Sequence, residues 1–158
     1  MTIGILKDFG INITNESYKR FYVRGNQKIK SSKYIIEGDW SGAAFHLVGA
    51  AISGEVKIHG LNLNSLQADK AILKALGLCG AEVIINEEFI EVKRLELNSF
   101  SFDATDCPDL FPALAALASY CDGISIIAGI SRLINKESNR AKSIKLEFAK
   151  IGVKVVLK

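Results

Sequence analysis

The sequence predicts an α+β chain of repeated strand–helix–strand–helix–strand–strand (βαβαββ) units, truncated at both ends. Three observations carry that expectation. First, three phrases resemble one another: residues 6–13, 76–83 and 148–155 each read as a last helical turn, a glycine and then a strand. Their glycines are Gly10, Gly80 and Gly152, spaced by 70 and 72 residues. Glycine suits that place because the residue after a helix often needs a positive φ. Second, the stretch from Gly54 to Gly60 matches the stretch from Gly123 to Gly129 at an offset of 69, and each alternates apolar residues between bounding glycines, a strand signal. Third, residues 43–52 and 110–118 are rich in Ala and Leu and apolar nearly all round, as expected of buried helices.

The elements follow in order. The last turn of a helix ends at Gly10, and strands are expected at 10–15 and 18–25. A buried helix occupies about 41–52 and a strand about 55–60. An amphipathic helix follows at 65–79, with Leu66, Ala68, Ile72, Leu73, Ala75 and Leu76 at mixed three- and four-residue spacings. Strands at 81–86 and 89–94 flank a turn at Asn86-Glu87-Glu88, and a short strand near 99–103 leads into the next buried helix. A strand over 124–128 and a helix running through Ala141, Ile144 and Phe148 come next. Another strand is expected after Gly152. The chain thus begins and stops in mid-unit, as a piece of a longer protein would; the alternative is a short domain whose terminal units are capped differently.

Composition narrows the function classes. The 158 residues are 49% hydrophobic and 23% charged, which can fill a core. The longest apolar runs stop near ten residues, below the roughly 20 that a membrane span needs. The segment after Met1 lacks the basic and apolar regions of a signal peptide. Cys79, Cys107 and Cys121 have no metal-ligand spacing and read as reduced buried thiols of a cytoplasmic protein. His46 and His59 have no third ligand nearby, and His46 reads as a core histidine. No metal site is expected.

The net charge of +3 is uneven. Residues 17–36 carry +6, residues 37–128 carry −8 and residues 129–158 carry +6. Two basic segments can meet an anionic ligand or form solvated faces. No nucleic-acid reader motif is present.

Two polar clusters interrupt the repeat. In Asp103-Ala104-Thr105-Asp106-Cys107-Pro108-Asp109, Thr105 or Asp106 suits a helix cap and Pro108 a first turn. Asp109 then stands beside an apolar helix start, where desolvation would perturb it. In Asn135-Lys136-Glu137-Ser138-Asn139-Arg140, Lys136 and Arg140 are four apart at a helix start. A helix N-terminus already attracts anions, so two cations there are misplaced for stability and fit an anion site. The alternative is a Glu137–Arg140 surface pair. The equivalent stretch of the preceding repeat, Gln67-Ala68-Asp69-Lys70, lacks the paired cations, which locates function on one repeat.

These motifs carry a resemblance. Ile36-Glu37-Gly38-Asp39-Trp40-Ser41-Gly42-Ala43 resembles the EGD-x-S-x-A segment of the enolpyruvylshikimate phosphate synthase family. Leu66-Gln67-Ala68-Asp69 resembles its QGD segment, Pro108-Asp109 its PD pair, and Lys136-Glu137-Ser138-Asn139-Arg140 its KETDR signature. The related enolpyruvyl transferase acting on UDP-N-acetylglucosamine lacks that signature. The resemblance implies a two-domain enzyme with three βαβαββ units per domain. Residues 1–36 would end a unit of the first domain, and residues 37–158 would hold one full unit and most of a second unit of the other. It implies transfer of the enolpyruvyl group from phosphoenolpyruvate to shikimate 3-phosphate with release of phosphate, without cofactor, by a full-length enzyme that is monomeric.

By that resemblance, Asp109 accepts the proton of the substrate hydroxyl and Glu137 lies near the phosphoenolpyruvate methylene. Lys136 contacts shikimate 3-phosphate and Arg140 binds phosphoenolpyruvate. Ser138 and Asn139 depart from the signature, and Asn139 replaces a carboxylate that would steady Arg140. A family Asn that contacts the shikimate substrate falls on Arg132. The family's remaining cations have no counterpart here, so the isolated chain is expected to be inactive. The competing reading is a non-catalytic repeat scaffold that binds anions or a partner chain.

Overall fold

The computed structural model describes residues 1–30, 33–134 and 138–158. The chain divides into two compact units, 1–36 and 37–158.

In the first unit, helix α1 (Thr2–Asp8) stops at Gly10, whose φ of 79° is the left-handed value that the glycine anchor requires. Strands β1 (Ile13–Glu16) and β2 (Arg20–Val23) pair antiparallel from Ile13↔Val23 to Glu16↔Arg20. The Asn15 side chain accepts from the Tyr18 amide and steadies the turn. Gln27 clips the unit together, accepting from the Asn12 amide and donating to the carbonyls of Asn12 and Arg24. No described residue of this unit is fully buried. All six cations of the 17–36 block are exposed, as solvated faces are. A piece this small buries too little apolar surface to be stable on its own.

The second unit holds the core. Helix α2 (Trp40–Ser53) begins where the Asp39 carboxylate accepts from the amides of Ser41 and Gly42. Strand β3 (Glu55–His59), helix α3 (Ile72–Cys79) and strands β4 (Glu82–Ile85) and β5 (Phe89–Lys93) follow. The sheet order is β3-β5-β4, with β5 antiparallel to both neighbours. Register places Val92 between Val56 and Val83, and Ile90 between Ile58 and Ile85. These two apolar rows are what the strand alternation encodes.

The next copy runs β6 (Ser101–Asp103), α4 (Phe111–Ser119), β7 (Ile126–Ala128) and α5 (Arg140–Lys150), with β6 and β7 parallel. Trp40, Leu47, Ile72, Leu76, Ile90, Leu114 and Leu117 are fully buried in one cluster that joins both copies. Each such side chain contributes about 1.5–3 kcal/mol on burial. The Trp40 indole donates to the Asn62 carbonyl at 3.2 Å, which leaves its one polar atom satisfied.

The repeat is visible in the backbone. Gly80 and Gly152 take φ of 88° and 81°, as Gly10 does. Gly38 donates to the Gly60 carbonyl at 3.0 Å, and Ala104 donates to the Ala128 carbonyl at 3.0 Å. A Cβ on Gly129 would stand 2.5 Å from the Thr105 amide nitrogen, so only glycine permits that approach.

Several expectations are corrected. The helix expected at 65–79 begins later, as a 3-10 turn (Ala68–Ala71) leading into α3, because Ser65 and Gln67 are tied to Glu37 instead. Helix α2 is not buried all round: Phe45 is 52% exposed, and His46 is exposed, its Nδ1 lying 3.0 Å from the Gly42 carbonyl. After Gly152 there is no strand, although Val153, Val155 and Leu157 are half-buried and alternate with exposed residues. No described strand supplies the hydrogen bonds that would make this segment part of a sheet. Cys79 and Cys107 are buried, while Cys121 is only half-buried. No helix among the described residues is long and apolar enough to cross a membrane.

Candidate functional site

Asp109 lies in the 3-10 turn Pro108–Leu110 that enters α4. Leu110 beside it is 1% exposed and fixes the turn to the core. Pro108 sets the first position of the turn, where a missing N–H costs nothing. Thr105 and Asp106 do not cap this helix. The capping position is Cys107, which makes no side-chain capping bond. Thr105 instead donates through its amide (2.9 Å) and hydroxyl (2.6 Å) to Asp103 Oδ1. Those two bonds hold the Asp103 carboxyl below its ordinary range.

Asp109 is not desolvated as the sequence suggests; its side chain is 47% exposed. Its significant neighbour is a cation. Arg140 Nη1 donates to Asp109 Oδ1 at 2.6 Å, across 31 residues of chain. Arg140 is the first residue of α5, and Asn139 caps that helix, its Oδ1 accepting from the Lys142 amide at 3.1 Å. Asn139 therefore performs the capping that a carboxylate would perform, while Asp109 is the carboxylate that steadies Arg140. The Arg140 side chain is 25% exposed, so its charge is partly withdrawn from water and its pairing is less screened than at an open surface.

Lys136 and Glu137 lie outside the described residues. Arg132 is exposed on the 3-10 turn Ile130–Leu133, whose Leu133 is 1% exposed and anchors it. The structure thus brings Asp109 and Arg140 together. An open cleft of about 470 Å³ lies elsewhere, lined by residues that include Ile52, Arg94, Leu95 and Tyr120, and it holds none of these site residues.

The preceding copy holds a polar network of its own. Gln67 accepts from the Trp40 amide at 2.9 Å and donates to the Gly38 carbonyl at 2.9 Å and to Glu37 Oε1 at 3.1 Å. Ser65 also donates to Glu37 at 2.9 Å. These bonds, Gln67 first, lower the Glu37 pKa from its ordinary value. Ser41 donates to Asp69, which is 6% exposed. The motif segments around Glu37 and Gln67 were visible in the sequence, but no spacing argument assigned these side chains a task.

The thiols do not contribute chemistry. Burial pushes Cys107 and Cys121 up to about 11, with Asp69 the next cause at Cys107 and Cys79 at Cys121. A thiol so raised is a poor nucleophile. Among the described residues no cluster of His, Cys, Asp or Glu has the arrangement to hold a metal ion.

Chemically, a carboxylate beside a guanidinium can take a proton while the cation stabilises a neighbouring anion. A guanidinium carries five donors in a fixed fork, suited to carboxylate and phosphate together.

Comparison with known proteins gives a consistent result. A family model described as EPSP synthase (3-phosphoshikimate 1-carboxyvinyltransferase) matches residues 1–158. A curated 3-phosphoshikimate 1-carboxyvinyltransferase from Clostridium acetobutylicum is 42% identical over 156 residues, covering 99% of this chain and 36% of that protein. One from Haemophilus influenzae is 35% identical over 156 residues, covering 98% and 36%. The solved EPSP synthase from Acinetobacter baumannii superposes with a TM-score of 0.75 at 25% identity, covering 90% of this chain and 35% of that one. The enolpyruvyl transferase NikO from Streptomyces tendae shares the fold alone, with a TM-score of 0.58 at 17% identity over 79% of this chain and 31% of that one.

Proposed function

Because this chain belongs to the EPSP synthase family, we propose that it carries one side of an active site for enolpyruvyl transfer from phosphoenolpyruvate to the 5-hydroxyl of shikimate 3-phosphate. The chain spans 36% of the length of the curated relatives cited above, so the complete reaction needs groups beyond these residues. The observation that carries the reading is the Asp109–Arg140 contact, which joins the PD pair to the end of the KETDR-like signature in space.

The reaction is an addition followed by an elimination. The 5-hydroxyl oxygen bonds to C2 of phosphoenolpyruvate, the methylene carbon gains a proton, and a tetrahedral intermediate forms. That carbon then loses a proton as the C–O bond to phosphate breaks, which restores the enol ether and releases inorganic phosphate. Asp109 orients the hydroxyl and takes its proton. Arg140 binds the phosphoenolpyruvate anion and offsets charge that builds in the transition state. Glu137 serves the methylene, while Lys136 and Arg132 contact shikimate 3-phosphate. Residues 1–36 belong to the first domain and 37–158 to the second. The full-length enzyme is a cytoplasmic monomer.

The test replaces the matching 156 residues of the Clostridium acetobutylicum relative with this chain and measures phosphate release with both substrates. Turnover is expected from the hybrid and none from the 158 residues alone. An inactive but folded hybrid, or turnover by the isolated chain, contradicts the reading.

A further inference from the structure

Gly60 follows β3 and Gly129 follows β7, and both are left-handed, with φ of 80° and 99°. They differ in what lies against them. A Cβ on Gly60 would meet nothing within 4 Å. A Cβ on Gly129 would stand 2.5 Å from the Thr105 nitrogen, 2.7 Å from the Thr105 Cα and 2.9 Å from the Ala104 carbonyl carbon. All three are backbone atoms, which cannot swing aside as the end of a side chain can. The register accounts for the difference. Gly38 donates to the carbonyl of Gly60 itself, whereas Ala104 donates to Ala128, one residue before the glycine, and Gly129 comes to lie against Thr105.

This contact joins the two arms of the candidate site. On one side, Cys107 donates to the Ala104 carbonyl at 3.1 Å and Leu110 to the Cys107 carbonyl at 3.1 Å, so backbone bonds run from the contact to the turn that carries Asp109. Ala104, Cys107 and Leu110 are all buried, so a push on Thr105 is passed along packed backbone. On the other side, Gly129 opens the 3-10 turn Ile130–Leu133 and accepts from the Arg132 amide at 3.1 Å. That turn packs against both the Asp109 turn and α5, whose first residue is Arg140.

We propose that Gly129 is a positioning residue: its lack of a side chain sets how closely the Asp109 turn approaches the turn that leads to Arg140. The proposal rests on the enolpyruvyl-transfer reading for its catalytic consequence, though not for its geometry. A methyl group at Gly129 forces the Thr105 backbone back by about 1 Å to reach an ordinary contact distance. Misplacement of a reacting group by about 1 Å can cost up to 10²-fold in rate. Asp109 moves with its loop while Arg140 stays on α5, so kcat falls more than KM for phosphoenolpyruvate rises.

Gly60→Ala is the matched control, because it imposes the same left-handed strain with open space around the methyl group. In the 158-residue chain, amide exchange at Cys107 and Leu110 should be at least about tenfold faster in Gly129→Ala than in Gly60→Ala. In the hybrid enzyme, Gly129→Ala should lower kcat about tenfold or more, with KM for phosphoenolpyruvate within about threefold, while Gly60→Ala keeps kcat within about threefold. Equal exchange in the two variants overturns the proposal whatever the activity. So does an unchanged kcat in Gly129→Ala, or an equal loss from both. If Gly129→Ala does not fold, the unsubstituted chain decides: protection of the Leu110 and Arg132 amides should fall together as urea is added, and independent opening of the two turns overturns the proposal. If the unsubstituted hybrid is inactive, the reaction assignment fails and amide exchange alone decides whether Gly129 governs the turn.

Discussion

In the copy that holds α2, Asp39 stands before the helix and its carboxylate accepts from the Ser41 and Gly42 amides. In the copy that holds α4, the matching cap, Cys107, makes no such bond, and the acid two residues on, Asp109, reaches Arg140 at 2.6 Å. The two copies share a backbone bond before the helix, Gly38 to Gly60 in one and Ala104 to Ala128 in the other. What differs is where the acid goes. One carboxylate satisfies the free amides of its own helix and stabilises it; the other is left half-exposed beside a cation. The difference is one of partner: one acid caps its own helix, and the other pairs with the first residue of the next helix. Cap loss is tolerable at α4 because Pro108 and the buried Leu110, Phe111 and Leu114 already fix its start.

The comparison can be broken at either copy. The largest effect is expected at Arg140. Arg140→Ala in the hybrid enzyme should reduce kcat/KM for phosphoenolpyruvate by about 10²–10³, the usual loss for a group aimed at developing charge. Steady-state phosphate release at varied phosphoenolpyruvate reads this directly. On the structural side, Trp40→Ala should destabilise the fold by about 3–5 kcal/mol, seen as a lower urea midpoint. Trp40 is fully buried and anchors the capped helix.

The caps sharpen the contrast at smaller scale. Asp39→Ala should cost about 0.5–2 kcal/mol, whereas Asp109→Ala should cost less in stability, since Asp109 is not the N-cap residue of its turn or of α4. Both are read from denaturant unfolding. Asn139→Asp should be nearly neutral, because both residues cap equally well. The acid limb of stability reads Glu37 along with Asp103, whose carboxyl is also lowered. The folded pKa of Glu37 lies below the ordinary 4.5, so its contribution is complete above 4.5 and disappears as pH falls through the lowered value. Glu37→Gln should flatten stability against pH in that window and leave neutral-pH slopes unchanged. The smallest effect is expected at Lys150, whose exposed pair with Glu147 should change stability by less than about 0.5 kcal/mol when replaced by Ala.

Much of this architecture was legible in the sequence. The glycine anchors and apolar alternation located β3, β4, β5 and β7 to within two residues, because strand period and helix-ending glycines are local properties. Motif resemblance named Asp109 and Arg140 as candidate site residues but did not reveal their contact, since contact across 31 residues has no local signal. What was missed has a common cause. Gln67 leaves its helix pattern to bond Trp40 and Gly38, His46 faces outward from an apolar helix, and the alternating tail after Gly152 lacks a strand partner. Each depends on which element stands opposite, and a one-dimensional pattern does not record that.

The most direct test of the central claim compares two acids three residues apart. In the hybrid enzyme, Asp109→Asn should lower kcat for phosphate release by about 10²–10⁴, as expected on removal of a proton acceptor, while Asp106→Asn leaves it within about twofold because Asp106 is exposed and outside the pair. Equal losses from both substitutions, or full activity in Asp109→Asn, would contradict the proposal that Asp109 is the proton acceptor.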